Sequence, residues 1–295
     1  MLQSSPQANQ ALGACSADLY ISLSALNNRD SETSMNTLKS FLLNRPVSGS
    51  TCLIAISLLV VLGIPYLFTD TPSVALTLKI VTRLLIAAAA VYALVKMQLV
   101  QAAGLGGRPW RKRWWIAPLP MLAIVAINIL GVNWSALVFT PSTVAGWLGY
   151  NLSVGLFEEL LLRGVCFCLL ATAWRHRKNG LLLAAVTQGA IFGLLHLINL
   201  THAPMLDTLS QTVYATLLGI GFAGMTVFCH SIWPAVMVHA AINLAGSMNI
   251  DLVPGATPPE GSLSGYIVAT VVILLVSALP GLWQLRREQR ALAGA

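Results

Sequence analysis

The sequence predicts an all-α fold, a polytopic transmembrane helix bundle of about eight helices with both termini cytoplasmic. Hydrophobic residues make up 56% of the 295-residue chain and charged residues 9%, whereas a soluble domain carries about 25% charged residues. From residue 51 onward, apolar runs follow one another, and each is close to the length needed to cross about 30 Å of hydrocarbon. The net charge of +7 is confined to short clusters between these runs, which is typical of a membrane protein and not of a nucleic-acid-binding one.

The elements follow in order along the chain. Residues 1–46 are polar and rich in Ser and Asn, so this segment is predicted to be disordered. The transmembrane domain is predicted over residues 47–290. Its predicted spans are 51–69, 75–99, 116–139, 143–173, 180–200, 208–229, 231–248 and 263–285. The fourth run is longer than a bilayer requires, so it should tilt or project beyond the membrane.

The distribution of charge predicts the orientation of the spans. One set of connections and tails holds Lys39 and Arg45; Arg108, Arg111, Lys112 and Arg113; Arg175, Arg177 and Lys178; and Arg286, Arg287 and Arg290. The alternate connections hold Asp70, Asp207, Asp251 and Glu260 but no Lys or Arg. The positive-inside rule therefore predicts a multi-pass protein of the cell membrane with cytoplasmic termini. Lys79 and Arg83 are exceptions, so either the second span begins later or these residues line a polar interior.

Two adjacent acids, Glu158 and Glu159, lie deep inside the fourth span. A charge at the bilayer centre costs about 2.5–3.5 kcal/mol on insertion scales, so both must face a protein interior or a water-filled cavity. Arg163 follows Glu159 by four residues, a spacing that permits an ion pair on one helix face. Glu158 points about 100° away and has no such partner. An unpaired carboxylate in apolar surroundings holds a proton more tightly, which suits a general base.

Three further buried polar residues complete a candidate catalytic set. His196 lies in the fifth span, and His239 and Asn243 lie one turn apart on one face of the seventh. Glu158 can activate water, and His196 can hold that water or carry its proton. His239 and Asn243 can donate hydrogen bonds to a tetrahedral oxyanion. The set is sufficient for peptide hydrolysis, although each residue also has a structural interpretation, such as hydrogen bonding between helices.

The spacing of these residues resembles a known family. Glu158-Glu159-x-x-x-Arg163, Phe192-x-x-x-His196 and His239-x-x-x-Asn243 are similar, in order, to the three motifs of the CPBP family. That family comprises the type II CAAX prenyl endopeptidases and the bacteriocin-processing and Abi-type membrane proteins. The resemblance covers roughly residues 143–248. It implies an eight-helix membrane fold with a cavity open to the cytosol, water activation by Glu158 and His196, an oxyanion hole formed by His239 and Asn243, and supporting roles for Glu159, Arg163 and Phe192.

The sequence therefore predicts a glutamate-dependent intramembrane endopeptidase that cleaves a peptide or membrane protein near the cytosolic leaflet, with no cofactor and no nucleic-acid partner. Glu158, His196 and His239 could alternatively bind zinc, because two histidines and a glutamate form a known catalytic ligand set. A second hypothesis is a non-catalytic immunity-type or regulatory membrane protein of the same fold. A third is a proton-coupled transporter, since buried Glu and His also form proton relays. No motif distinguishes a prenylated from an unprenylated substrate or indicates an oligomeric state.

Overall fold

The computed structural model describes residues 33–68, 70–257 and 261–293, and within these residues the fold is entirely helical. The first helices are α1 (Thr33–Asn44), α2 (Pro46–Tyr66), α3 (Pro72–Lys96) and α4 (Leu119–Leu130). A long central segment consists of α5 (Pro141–Glu159), a π-helix (Leu160–Phe167) and α6 (Cys168–Ala173). Helix α7 (Gly180–Leu195) continues as a 3₁₀ helix (His196–Thr201), and α8 (Met205–Cys229) and α9 (Trp233–Asp251) follow. The last segment consists of α10 (Leu263–Ile273), a π-helix (Leu274–Ala278) and α11 (Leu279–Ala293).

Each predicted span overlaps one of these helical segments. Within the described ranges, five helices are long and apolar enough to cross a membrane, namely Pro46–Tyr66, Pro72–Lys96, Gly180–Thr201, Met205–Cys229 and Leu263–Leu292. Helix α4 is apolar but only 12 residues long, and the central segment and α9 carry the buried polar residues of the predicted site. The all-α fold is confirmed, and the five apolar helices support an integral membrane protein.

The polar N-terminal segment differs from its prediction near its end. Residues 1–32 of the predicted disordered segment lie outside the described residues, but Thr33–Asn44 forms α1. Leu42 is only 3% exposed and belongs to the same apolar cluster as Cys168 and Leu169 of α6. Tertiary packing of this face therefore stabilises a helix that the polar composition of the segment does not predict.

Local sequence explains where several helices begin. Pro46, Pro72 and Pro141 each occupy the first turn of their helix, where the missing proline N–H costs no helical hydrogen bond. At α5 the Thr140 side chain accepts a hydrogen bond from the Thr143 backbone N–H at 3.2 Å, and the Thr143 hydroxyl accepts one from the Thr140 N–H at 3.0 Å. This reciprocal capping box fixes the start of the helix that carries both predicted acids.

The segment with the two acids is the centre of the bundle. Every residue from Glu159 to Leu170 is buried, and the π-helical part contacts α2, α3, α7 and α8. A helix surrounded by protein has no polar face, which explains the continuous apolar run around the two acids. The sequence predicts a regular helix here, but the structure contains a π-helix, a form that often occurs at functional sites.

The bundle has two chemically different ends. The basic end comprises the connections rich in Lys and Arg, and both described termini lie there. Helix α1 packs against α6 through Leu42, and the Leu181 N–H donates to Gln289 Oε1 of α11 at 2.9 Å. The opposite end comprises the connections α2–α3, α4–α5, α7–α8 and α9–α10, which contain no Lys or Arg.

Candidate active site

The adjacent acids at the end of α5 have different surroundings. The side chain of Glu159 is fully buried, whereas that of Glu158 is 24% exposed. Consecutive helix positions point about 100° apart, so Glu158 lines a cavity while Glu159 faces the protein interior.

Glu159 joins two buried basic groups. Arg163 Nη1 donates a hydrogen bond to Glu159 Oε1 at 2.8 Å, as the four-residue spacing predicts. His239 Nδ1 lies 2.7 Å from the same oxygen. The Arg163 guanidinium lies 4.9 Å from the ring centroids of both Phe192 and Phe222. Because a fully buried ion pair needs compensation for its lost hydration, these cation–π contacts help to stabilise it.

His239 links the two acids. A carboxylate oxygen accepts hydrogen bonds, so the contact with Glu159 favours the orientation in which His239 Nδ1 is the donor. The other ring nitrogen, Nε2, lies 3.5 Å from Glu158 Oε2. The imidazole also stacks on Phe222, with ring centroids 5.1 Å apart and an interplanar angle of 14°. Glu158 therefore has a neighbouring group that the spacing on its own helix does not predict.

A close approach of α5 and α9 makes this contact possible. A Cβ atom added at Gly155 would lie 3.0 Å from the backbone nitrogen of Ala240. Gly155 precedes Glu159 by one turn, and Ala240 follows His239. The absence of a side chain at Gly155 therefore lets α9 approach closely enough to bring His239 to both carboxylates.

His196 lies at the C-terminal end of α7, where the helix tightens into its 3₁₀ extension. Its Nδ1 atom lies 2.9 Å from the carbonyl oxygen of Phe192, and its ring centroid lies 5.0 Å from the Phe192 ring. A carbonyl oxygen only accepts, so Nδ1 carries a proton, and in the neutral ring Nε2 remains an acceptor. Phe192 thus contacts both His196 and Arg163.

One cavity collects the predicted residues. Its volume is about 950 Å³, and Glu158, His196, His239 and Asn243 all line it. Three helical segments therefore contribute to one space, while Glu159 and Arg163 lie behind its wall. Tyr150, Asn151 and Asn199 also line it.

Lys79 and Arg83 line the same cavity, which favours the second of the two interpretations of these cations, a position beside a space inside the bundle. Arg83 Nη1 donates to the Lys79 carbonyl oxygen at 2.8 Å, and its guanidinium lies 4.7 Å from the Tyr150 ring centroid. Sequence reasoning did not assign them to the site. The signal that could have assigned them is their position in the sequence. They are two cations inside a span, near the end whose connections contain no Lys or Arg.

The cavity extends toward the end of the bundle opposite the basic loops. Its lining includes Tyr66 and Pro72 at the α2–α3 connection, and Asn199 and His202 at the α7–α8 connection. The family resemblance implies a cavity that opens to the cytosol, and the charge rule places the basic loops there. In this fold the two expectations conflict, because the cavity and the basic loops lie at opposite ends of the bundle. The packing of antiparallel helices decides at which end of the bundle a cavity opens. The spacing of residues along a single helix does not contain that information.

The predicted metal ligands do not form a metal-binding group. In the described part of the chain, no three His, Cys, Asp or Glu side chains are placed to share an ion. His239 Nδ1 faces the Glu159 carboxylate and His196 Nδ1 faces the Phe192 carbonyl, so Nε2 is the nitrogen of each ring that could bind a metal. The alternative zinc site at Glu158, His196 and His239 stays a prediction, without a preformed ligand group among the residues that the structure describes.

Comparison with known proteins supports the resemblance in the motifs. Residues 139–245 match a family model described as type II CAAX prenyl endopeptidase Rce1-like. No curated protein and no solved structure matches the chain. The matched region begins just before α5 and ends within α9, so it contains all seven predicted catalytic and supporting residues. Residues 139–245 are therefore similar to the Rce1-like domain of the type II CAAX prenyl endopeptidases, in agreement with the CPBP-type motifs.

Proposed function

We propose that this chain is an intramembrane endopeptidase in which Glu158 activates the attacking water. The similarity of residues 139–245 to a CAAX-type protease family supports peptide hydrolysis. The observation that carries the proposal is the shared cavity: Glu158, His196, His239 and Asn243 come from three helical segments and line one space.

The proposed reaction begins with a water molecule between Glu158 and the scissile carbonyl group. Glu158 takes one proton from the water, and the water oxygen bonds to the carbonyl carbon. His196 accepts a hydrogen bond from the same water through Nε2. When the tetrahedral intermediate collapses, Glu158 returns the proton to the leaving nitrogen, and the C–N bond breaks.

Hydrogen bonds from His239 and Asn243 stabilise the developing oxyanion in this proposal. For His239 Nε2 to donate while Nδ1 donates to Glu159, the ring must be an imidazolium.

Glu159 and Arg163 act as positioning residues in this proposal. Glu159 fixes the orientation of His239, and Arg163 neutralises Glu159. The arrangement follows the general rule that a buried carboxylate orients the imidazole that acts at the reacting centre.

The proposed cleavage takes place in the half of the membrane away from the basic loops. The cavity extends to the connections that contain no Lys or Arg, and the positive-inside rule assigns these connections to the non-cytoplasmic side. The family resemblance implies the cytosolic side instead. We prefer the orientation given by the positive-inside rule, because four separate clusters of basic residues agree on it.

The test is hydrolysis by purified protein of a farnesylated CAAX peptide and of the same peptide without the prenyl group. Glu158→Gln keeps the shape of the side chain but removes the base, so activity should fall by about 10²–10⁴-fold. Asp251→Asn is the matched control, since Asp251 is an exposed acid at the end of α9; this variant should keep full activity.

Two outcomes contradict the proposal. If Glu158→Gln retains full activity, Glu158 is not the base. If neither peptide is cleaved, membrane peptides from cells with wild-type protein and with the Glu158→Gln variant should be compared by mass spectrometry. Identical peptide patterns in a correctly inserted, folded protein would favour the non-catalytic hypothesis.

A further inference from the structure

A second large cavity lies at the basic end of the bundle. Its volume is about 1000 Å³, and it is bounded by residues 108–120, α6, the end of α8 and α11. Arg163, the ion-pair partner of Glu159, contributes to its lining. None of the four proposed catalytic residues lines it.

The charge of this cavity is strongly unbalanced. Besides Arg163, six cationic side chains line it, namely Arg108, Arg111, Lys112, Arg113, Arg175 and Arg287. Among the described residues around it, the one acid is Glu288, which is paired with Arg111 at 2.7 Å. Cationic side chains thus outnumber acidic ones in this lining, which gives the cavity a positive potential that suits a ligand with negative charge.

Part of the cavity lining is apolar. Ile116, Phe167 and Val227 contribute hydrocarbon surface. Phe228 connects the two parts, since the guanidinium groups of Arg111 and Arg287 lie 4.6 and 5.6 Å from its ring centroid. The cavity thus contains cationic groups next to apolar surface. A ligand with an anionic group and an alkyl chain could contact both.

We propose that this cavity binds an anionic phospholipid from the adjacent leaflet, with its phosphate among the arginines and an acyl chain along the apolar wall. Basic pockets between transmembrane helices are suited to such headgroups. The indoles of Trp110 and Trp283 line the cavity and are 39% and 59% exposed, as expected for aromatic side chains at the membrane interface. A soluble phosphate would use the arginines but not the apolar wall.

The experiment measures lipid binding to the purified full-length protein by native mass spectrometry after detergent delipidation. The added probes are phosphatidylglycerol, phosphatidylcholine and glycerol phosphate. The test variant is the triple substitution Arg108→Gln, Lys112→Gln and Arg113→Gln. The control is Lys178→Gln, Arg286→Gln and Arg290→Gln, which removes the same charge from exposed positions at the same end that do not line the cavity.

Wild-type protein should bind phosphatidylglycerol in preference to phosphatidylcholine. The triple cavity variant should bind phosphatidylglycerol about 100-fold more weakly, as expected for three lost cations at a membrane surface. The control variant should change binding by less than about threefold. If the cavity variant does not remain monodisperse, the single substitution Lys112→Gln should still weaken binding about fivefold.

Three outcomes would overturn the proposal. Equal losses in the two triple variants would indicate general surface attraction and not a site. Equal binding of the two lipids would exclude recognition of a negative headgroup. Glycerol phosphate binding as tightly as phosphatidylglycerol would identify a soluble phosphate compound as the ligand.

Discussion

At the scale of single residues, Glu159 is distinguished from Glu158 by its partners. Glu159 Oε1 accepts hydrogen bonds from both Arg163 and His239, so removing its charge leaves a buried guanidinium without a counterion. The loss of this charge would reduce stability if the ion pair is structural, and it would reduce activity if Glu159 positions His239. Removing both charges of the pair distinguishes these two roles, because it leaves no buried charge without a counterion.

Glu159→Gln should therefore reduce stability by about 3–5 kcal/mol, the usual cost of breaking a buried pair. The double variant Glu159→Leu and Arg163→Met removes both charges and should recover most of this loss. Its activity should remain about 10- to 100-fold low, since His239 still lacks its Nδ1 acceptor. Thermal unfolding and peptide hydrolysis measure the two effects. Recovery of full activity in the double variant would show that the pair is only structural.

His230, in the α8–α9 connection, predicts a pH effect on stability. Burial, followed by the charges of Arg111 and Arg108, lowers the pKa of His230 from 6.5 to about 4. Between these values the unfolded chain binds more protons than the folded one. The contribution of His230 to stability is therefore complete above about pH 6.5 and is lost as the pH falls toward 4.

Replacement by Asn tests this effect, because His230 has a φ of 56° and Asn tolerates this left-handed conformation well. The melting temperature of wild-type protein should fall more between pH 7.5 and pH 5 than that of His230→Asn. Equal shifts in the two proteins would mean that His230 does not contribute to the acid sensitivity.

At the scale of helices, the site depends on small residues where helices cross. Gly155 lets α5 approach Ala240 of α9, and Gly219 of α8 similarly lies against Gly189 of α7, where an added Cβ would be 2.8 Å from the Gly189 Cα. Such contacts are typical of helix packing in membranes, where apolar burial against lipid gives little driving force. They set the distance between side chains on different helices.

Gly155→Ala should therefore reduce peptide hydrolysis by up to about 100-fold, because a displacement of about 1 Å at His239 disturbs the catalytic geometry. Gly63→Ala is the control, since a Cβ at Gly63 meets nothing within 4 Å. This variant should have wild-type activity and equal or higher stability. Comparable activity of the two variants would show that the α5–α9 separation does not limit catalysis.

At the scale of the whole molecule, the two cavities lie toward opposite ends of the bundle. The candidate active-site cavity reaches His202, at the end whose connections contain no Lys or Arg. The second cavity is lined by residues of the basic end. If the basic end is cytoplasmic, the active-site cavity opens to the other side. Substrate would then enter from the non-cytoplasmic half of the membrane.

Labelling of single cysteines in intact cells with a membrane-impermeant maleimide tests this orientation. In a background with the native cysteines replaced by Ser or Ala, His202→Cys should be labelled and Lys178→Cys should not. The Lys178→Cys variant should be labelled only after the cells are permeabilised. The reverse pattern would place the cavity on the cytosolic side and correct the proposed orientation without affecting the chemistry.

The sequence by itself determined the class of protein and named the residues of the candidate site. Hydrophobic runs and clusters of basic residues reflect the solvent around each segment, and this information is local in the chain. The Glu159–Arg163 pair was also predictable, because one helical turn joins the two residues. The spacing within each motif likewise indicated which side chains share a helix face.

Only the tertiary structure decided how separate helices combine. It brought His239 between the two acids, added Lys79 and Arg83 to the cavity, and stabilised α1 through Leu42. It also put the candidate site toward the end of the bundle away from the basic loops. These features depend on which helices pack together and how closely their backbones approach, and contacts between residues far apart in sequence leave no periodic pattern in a single chain.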